Sequence, residues 1–434
     1  MELADFCLKT AKNKGATKAR VTFSLSTEDL IATLNGEIDR ITHCSDCSVS
    51  IALFVDGRFG SFSTNRLDHN SLEEFIGKSV NMTRMLEPDR FRDLPDPSRT
   101  EKRAVTGDEL KLYDKEYLQM SPQRRKEIAL KCSVFPSDGL VSEEGEYSDS
   151  VFETYLADTN GLRCLHRETS FDYGVEVTIE DAAGDKYSGY WWTSDSHFDG
   201  FHPEGCGMRA LENARAQIGA EAVESGKYNM VIDSEVSSKV VSPILKAINA
   251  YSLQQKNSFL TDSLGKRIFP EGVTLVDDAR LEGQTGSKLF DSEGVSTPSD
   301  TIIDKGVIKK YFVNTYMSGK TGMEATVEEA TRPHLLPWPA KGLDRDDILR
   351  LCGDGILVTE FNGGNSNSAT GNFSYGIEGF LFKNGKIVKP VSGMLVTGNF
   401  ISLWNSLIAC GDDNRSCKSK LIPTLAFSNV DFSG

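Results

Sequence analysis

Residues 141–192 read VSEEGEYSDSVFETYLADTNGLRCLHRETSFDYGVEVTIEDAAGDKYSGYWW. Apolar and polar residues alternate with period two, so one set of side chains faces a core and the other faces water. Asn160-Gly161 and Gly184-Asp185 interrupt the alternation as hairpin turn pairs. The stretch predicts an antiparallel meander of four strands, and it sets the reading of everything around it.

Upstream, Leu3, Phe6, Cys7, Thr10 and Ala11 recur at helical spacing before Gly15. Strands are expected over Ala19–Ser26, Leu30–Asp39 and Val49–Phe54, the last turning through Asp56-Gly57 into Arg58–Ser63. A helix fits Ser71–Met85, capped by Asn70 or Ser71, with Leu72, Phe75, Ile76 and Val80 on one face. Pro88, Pro95 and Pro97 mark residues 87–106 as a surface connection. Helical segments follow near Tyr113–Tyr117 and Pro122–Val134, where Arg124-Arg125-Lys126 reads as a solvated face.

Downstream of the meander, Pro203 opens a helix through Ala222, with Met208, Leu211, Ala214 and Ile218 inward, and Ser225-Gly226 is the clearest boundary. Beyond it come a strand at Tyr228–Asp233 and an amphipathic helix over Ser234–Tyr251. Short strands follow at Gly355–Glu360, Gly376–Phe382 and Ile387–Val391, the last two joined through Asn384-Gly385, and Leu403–Ala409 reads as helical. The fold class is α+β. An N-terminal α/β region with small antiparallel sheets and flanking helices precedes a C-terminal, mainly β domain with one long amphipathic helix. Three units are expected: 1–100, 101–226 and 227–434.

The 434 residues carry a formal net charge of −15, and that field repels phosphate backbones, so no direct nucleic-acid contact is expected. No apolar run approaches the roughly 18–20 residues that cross a bilayer, so no membrane segment is expected. Met1-Glu2-Leu3-Ala4-Asp5-Phe6 lacks the basic start of a signal peptide. Nine scattered cysteines, an odd number, read as reduced thiols of the cytosol rather than a disulfide framework.

Catalytic constellations are sparse. The histidines are His43, His69, His166, His197, His202 and His334, and no pair stands three or four apart to share a helix face toward a metal. His197 and His202 flank a loop in which Asp195, Asp199 and Glu204 offer oxygens, an arrangement equally ordinary for a polar loop. Cys44-Ser45-Asp46-Cys47 has suggestive spacing but no second ligand pair. There is no Gly-x-Ser-x-Gly elbow and no phosphate-binding Gly-x4-Gly-Lys loop. The run Asn362-Gly363-Gly364-Asn365-Ser366-Asn367 suits a turn or an irregular cleft wall. Cys417 is a conceivable nucleophile, but no histidine lies in the last hundred residues.

Five segments, in order, resemble the TldD/PmbA family. They are Phe259-Leu260-Thr261-Asp262-Ser263-Leu264-Gly265-Lys266, then Phe290-Asp291-Ser292-Glu293-Gly294-Val295, then Asn367-Ser368-Ala369-Thr370-Gly371-Asn372-Phe373-Ser374-Tyr375-Gly376, then Gly379-Phe380-Leu381-Phe382-Lys383-Asn384-Gly385-Lys386-Ile387, and finally Pro390-Val391-Ser392 through Gly398-Asn399. The chain is more similar to the PmbA branch, also called TldE, than to the TldD branch. The resemblance implies a two-subunit cytosolic metalloprotease acting on peptides and unfolded proteins. Its TldD-type subunit binds metal through a His-Glu-x-x-x-His helix and a distant cysteine.

Here the corresponding helix reads Ser242-Pro243-Ile244-Leu245-Lys246-Ala247. Ser242 and Ala247 stand for the histidines and Pro243 for the glutamate, and Cys417 falls near the family's cysteine as a vestigial ligand. The resemblance therefore implies no catalytic residue and no cofactor in this chain, with zinc or a similar metal held by a TldD-like partner. Asp291, Ser292, Thr370, Gly371 and Asn372 are candidates for the substrate cleft, or else tight turns that hold the sheet. The isolated chain could form a homodimer. The competing expectation is a regulatory protein that modulates DNA gyrase or its inhibitors without proteolysis; a peptidase using Cys417 or a serine ranks last.

Overall fold

The structure, a computed structural model, describes residues 2–132 and 139–434. Its first half is one six-stranded antiparallel sheet in the order β3-β2-β1-β4-β5-β6. The strands are β1 (Lys18–Leu34), β2 (Glu37–Val55), β3 (Arg58–Thr64), β4 (Leu140–Asp158), β5 (Arg163–Glu180) and β6 (Lys186–Asp195). The alternation of 141–192 thus produces three strands rather than four, each long because nothing breaks the pattern between the two turn pairs.

The expected strands Ala19–Ser26 and Leu30–Asp39 are also redrawn. β1 runs unbroken to Leu34, and Asn35-Gly36, with φ of 52° and 79°, turns the chain into β2. Two consecutive residues at positive φ are what a tight hairpin matching the strand twist requires. Because β1 pairs with β4 from Arg20↔Asp158 to Leu34↔Glu144, the sheet crosses the boundary expected near residue 100.

One face of this sheet is apolar. Val21 and Ile31 of β1, Tyr147 of β4, and Phe171, Tyr173, Val175 and Val177 of β5 all point to it and are buried. Four helices cover it: α1 (Glu2–Asn13), α2 (His69–Thr83), α3 (Pro122–Lys131) and α4 (Cys206–Ala216). The cap of α2 is Asp68, whose carboxylate accepts from Ser71 N at 2.9 Å, not Asn70 or Ser71. The segment at 115–119 is a 3-10 turn, and the expected helix end at Val134 lies outside the described residues. α4 is shorter than expected; Leu211 and Ala214 face inward, whereas Met208 and Ile218 are exposed. It packs so close to β6 that a Cβ on Gly189 would lie 2.2 Å from the Ala210 carbonyl oxygen.

Two readings of charge and loop are corrected. Arg125 is buried: its guanidinium meets Asp149 at 2.6 and 2.7 Å and Asp29 at 3.0 Å, and Tyr147 donates to the same Asp149 carboxylate. The connection at 87–106 is anchored as well. Glu101, 3% exposed, accepts from the Lys102 and Arg103 amides, from Arg280 at 2.7 Å and from Ser296 at 2.8 Å.

The second half holds β7 (Gly226–Ile232), α5 (Ser238–Ala247) and α6 (Ala250–Gln254), then the short strands β8 (Leu275–Asp277), β9 (Asp300–Asp304) and β10 (Val307–Ile308). After α7 (Thr315–Thr321), β11 (Pro333–Leu335) and α8 (Arg345–Cys352) come β12 (Gly355–Ser366), β13 (Asn372–Lys383), β14 (Lys386–Asn399), α9 (Phe400–Asn405), β15 (Leu407–Cys410) and β16 (Leu425–Ser433). β8–β11 make a small sheet ordered β10-β9-β8-β11. The large one is ordered β14-β13-β12-β7-β16-β15, and an extra pairing of β14 with β16 closes five of its strands into a barrel. β12 lies parallel to β7, Ile356–Val358 against Met230–Ile232.

The single helix expected over Ser234–Tyr251 divides. Asn249 leaves the helical region and caps α6 by accepting from Tyr251 N at 3.0 Å, which ends α5 at Ala247. Val240, Val241, Ile244 and Ala247 bury one stripe of α5 in the barrel-side core. The helix expected at Leu403–Ala409 is instead α9 followed by β15. Trp404, 1% exposed, donates from Nε1 to the Val240 carbonyl at 3.2 Å and fixes α9 against α5.

Candidate functional site

The polar stripe of α5 opens on a cavity of about 560 Å³, a volume suited to a few peptide residues. Lys239, Ser242, Pro243 and Lys246 recur at i, i+3, i+4 and i+7, so all four share one helix face, and they form one wall. Glu360, Phe361 and Ser366 of β12 and the following Asn367-Ser368 form the opposite wall.

The floor is a run of aromatic rings from four parts of the chain. Phe361 meets Tyr375 edge-on at 5.7 Å; Tyr375 stacks on Phe373 at 5.5 Å, Phe373 on Phe400 at 4.8 Å, and Phe400 on Phe259 at 5.8 Å. Phe373 and Tyr375 share a face because they stand two apart on β13. The Lys239 ammonium lies 4.8 Å from the Tyr375 ring centroid.

Ser242 lies on the cavity wall, and its Oγ receives the Lys420 ammonium at 3.0 Å. Pro243 lies beside it and has neither a carboxylate nor an amide hydrogen. Ala247 is 2% exposed and belongs to the core. An alcohol already bonded to an ammonium, an imino-acid ring and a buried methyl group do not fit a metal ion. Among the described residues no group of three or more His, Cys, Asp or Glu is placed to hold one.

Cys417 is brought to the start of α5 by its neighbours. Arg415 reaches the Glu235 carboxylate at 3.2 Å and stacks on Trp191 and Trp192, while Lys418 meets Glu235 at 2.9 Å. These contacts tie the loop after β15 to both β6 and α5. Burial first, and then the Glu235 charge, push the Cys417 thiol up against the opposing pull of Arg415 and Lys418. A thiol held in its protonated form is a poor nucleophile.

The five cleft candidates fall in two places, neither on the wall of this cavity. Asp291 Oδ1 accepts from the Glu293 and Val295 amides and Oδ2 from that of Glu328, and Ser292 donates to the Glu328 carboxylate; together they close a tight turn. Burial, opposed by those hydrogen bonds, pushes the Asp291 carboxyl up to about 6. Thr370-Gly371-Asn372 turns β12 into β13 directly under the aromatic run. The Gly371 carbonyl accepts from Phe400 N at 2.9 Å, and a Cβ at Gly371, whose φ is +77°, would lie 3.0 Å from the Phe259 ring. This turn positions Phe259 and Phe400 rather than facing the cavity.

The remaining sequence candidates stay apart. His197 bonds Ser196 at 3.0 Å and stands 4.0 Å from Asp195, while His202 is exposed. Cys44 and Cys47 lie three apart on β2, so they point to opposite faces. The Gly363-Gly364 run is an irregular, exposed end of β12, both glycines at positive φ. Sequence reading missed the lysines at 239, 246 and 420 and the ring run. The 3–4–7 polar spacing on α5 was the available signal for the first two.

A second cavity of about 610 Å³ lies on the polar face of the first sheet, lined in part by Glu144, Glu146, Asp172, Glu176 and Trp192. Its Glu176 acts on Glu360 across the gap. Burial first, then Glu378 and Glu176, push the Glu360 carboxyl up. The β12 wall is therefore the acidic side of the cleft and α5 the basic side.

Comparisons with known proteins agree with this architecture. Residues 225–434 match the PmbA/TldA metallopeptidase C-terminal domain, and residues 115–218 match the central domain of the same family. A Bacteroides thetaiotaomicron crystal structure, named as a candidate modulator of DNA gyrase, is 38% identical and superimposes with a TM-score of 0.95, covering all of this chain and 98% of that one. The metalloprotease PmbA of Escherichia coli O157:H7 is 26% identical, with 96% of this chain and 93% of that protein aligned. TldE from Thermococcus kodakarensis shares the fold at 17% identity, with a TM-score of 0.81 over the whole of both chains.

Proposed function

This chain belongs to the PmbA/TldD metallopeptidase family, and we propose that it serves there as the subunit without a metal, working beside a TldD-like chain that carries one. The observation behind this reading is the face of α5. Ser242 and Pro243 line the cavity, Ser242 is bonded to Lys420, and Ala247 is buried, so the helix supplies neither a ligand pair nor a general base. The subunit's contribution is to shape a cleft for peptides or unfolded chains and to complete an interface with the metal-bearing partner in the cytoplasm.

Native mass spectrometry with metal analysis of each separated subunit tests the reading. The expected result is a complex with a His-Glu-x-x-x-His relative, zinc or a similar metal in that relative alone, and no peptidase activity from this chain by itself. Stoichiometric metal in this chain, with activity abolished by a chelator, would overturn it. So would affinity capture that recovers DNA gyrase and no TldD-like chain, which would favour the regulatory reading.

A further inference from the structure

The stripe that lacks metal ligands is rich in positive charge. Lys239 and Lys246 stand on the cavity wall and Lys420 joins them through Ser242. All three are exposed, and among the described residues none forms an ion pair, although acidic residues outnumber basic ones by 63 to 48. Arg415 and Lys418, close by in the chain and at the start of α5, are by contrast both neutralised by Glu235. A patch of unneutralised ammonium groups beside an aromatic floor is complementary to an anion attached to an apolar body.

The neighbouring strand offers a way to hold such a ligand. β12 pairs with β7 only as far as Val358↔Ile232. From Thr359 to Ser366 it pairs with β13 alone, so its cavity-side edge carries backbone donors and acceptors without a strand partner. An extended peptide can add to such an edge through main-chain hydrogen bonds, with alternate side chains entering pockets. The charges give the direction: Glu360 lines the β12 wall directly across the ladder from Glu378, and this acidic side repels an anion toward α5.

We propose that the cavity is selective for a carboxylate carried by an extended peptide, which Lys239, Lys246 and Lys420 receive while an adjacent apolar side chain rests on Phe361, Phe259 and Phe400. This rests on the peptide-handling role proposed above and adds to it a substrate class. One chemistry, a carboxylate, has two sources, the chain terminus and an Asp or Glu side chain.

Isothermal titration of the full chain separates them with three N-acetylated heptapeptides of glycine, valine and phenylalanine. One ends in a free acid, one in an amide, and one in an amide with a single internal aspartate. At low salt the free acid or the aspartate peptide is expected to bind about tenfold tighter than the neutral amide, the size of one good charge-assisted contact. Whichever does so identifies the source. The double variant K239A/K246A is expected to erase that difference, and K420A to reduce it. All three lysines are exposed, so the variants keep the fold. Equal binding of all three peptides by the unaltered chain overturns carboxylate selectivity and leaves the peptide-handling role standing. No binding of any of them overturns both.

Discussion

The six-stranded sheet and the closed barrel are both largely antiparallel, yet the chain assembles them differently. In the sheet, β1-β2-β3 and β4-β5-β6 are runs of sequence neighbours joined by short turns, and the β1–β4 pairing is the long-range joint. In the barrel, β7 ends at Ile232 and finds its partners at Gly355 and beyond, and the strand closure depends on the last residues, Asp431–Ser433 against Leu395–Thr397. Local pairing costs little loop-closure entropy, while distant pairing must be repaid by a larger shared core. The barrel-side core duly gathers residues from Met230 to Phe432. The candidate site sits in this second region, where residues distant in sequence are brought together.

The comparison can be broken most severely at the charge buried in the sheet. Arg125→Met leaves the fully buried Asp149 without its two-pronged partner and is expected to cost about 4 kcal/mol. Urea unfolding followed by far-ultraviolet dichroism measures it; a loss below about 1 kcal/mol would show that the ion pair is not structural.

In the barrel, Trp404→Ala removes a buried ring that touches Phe269 and Phe427 and holds the Val240 carbonyl, at a cost of about 3 kcal/mol. Because the ring fixes α5, peptide binding should weaken along with stability. By contrast, Arg125→Met should leave binding intact in the folded fraction. Equal effects of both changes on binding would erase the distinction between the regions.

Glu101 joins the two halves through Arg280 and Ser296. Burial alone would raise its carboxyl, but hydrogen bonds from Arg103, Ser296 and Lys102 and the charge of Arg103 hold it below the ordinary glutamate value. A depressed carboxyl contributes stability that is full above its unfolded pKa and lost as pH falls through the folded value. Glu101→Gln should therefore cost about 2 kcal/mol at pH 7 and progressively less below about pH 4. A penalty that stays constant from pH 7 to pH 3 would show that the charge plays no part.

The smallest effect belongs to a turn. Gly36→Ala places a Cβ in open space but at φ of 79°, so only backbone strain opposes it, at about 1 kcal/mol. Melting temperature should fall by a few degrees, with peptide binding unchanged.

Much of the sheet was legible because its signals are local. Period-two alternation, Asn-Gly and Asp-Gly turns and the 3–4 spacing of α1 and α2 need no knowledge of the rest of the chain. Even there, the strand expected over Leu30–Asp39 runs through the Asn35-Gly36 turn, since Leu30–Leu34 favours extended structure and Ile38 resumes the apolar pattern. Arg125 reads as solvated in the sequence because its partners Asp149 and Asp29 lie on other elements. The site was legible mainly as a resemblance. Ser242, Pro243 and Ala247 could be named from the sequence, but the segment gives no hint that Ser242 faces the cavity while Ala247 faces the core. Thr370-Gly371-Asn372 lies outside the cavity wall, and its turn instead packs against Phe259 and bonds Phe400.

By itself the sequence determined the fold class, the antiparallel hairpins, the family and the chemistry absent from α5, because residue type and short-range period carry those properties. Only the tertiary structure decided that Lys239 and Lys246, on one helix, are joined by Lys420 beside Ser242 at the wall of a cavity floored by Phe361, Tyr375, Phe400 and Phe259. Those residues are spread over almost two hundred positions. Barrel closure and burial of a shared core place them, and no local pattern can encode a proximity that depends on every strand between them finding its partner.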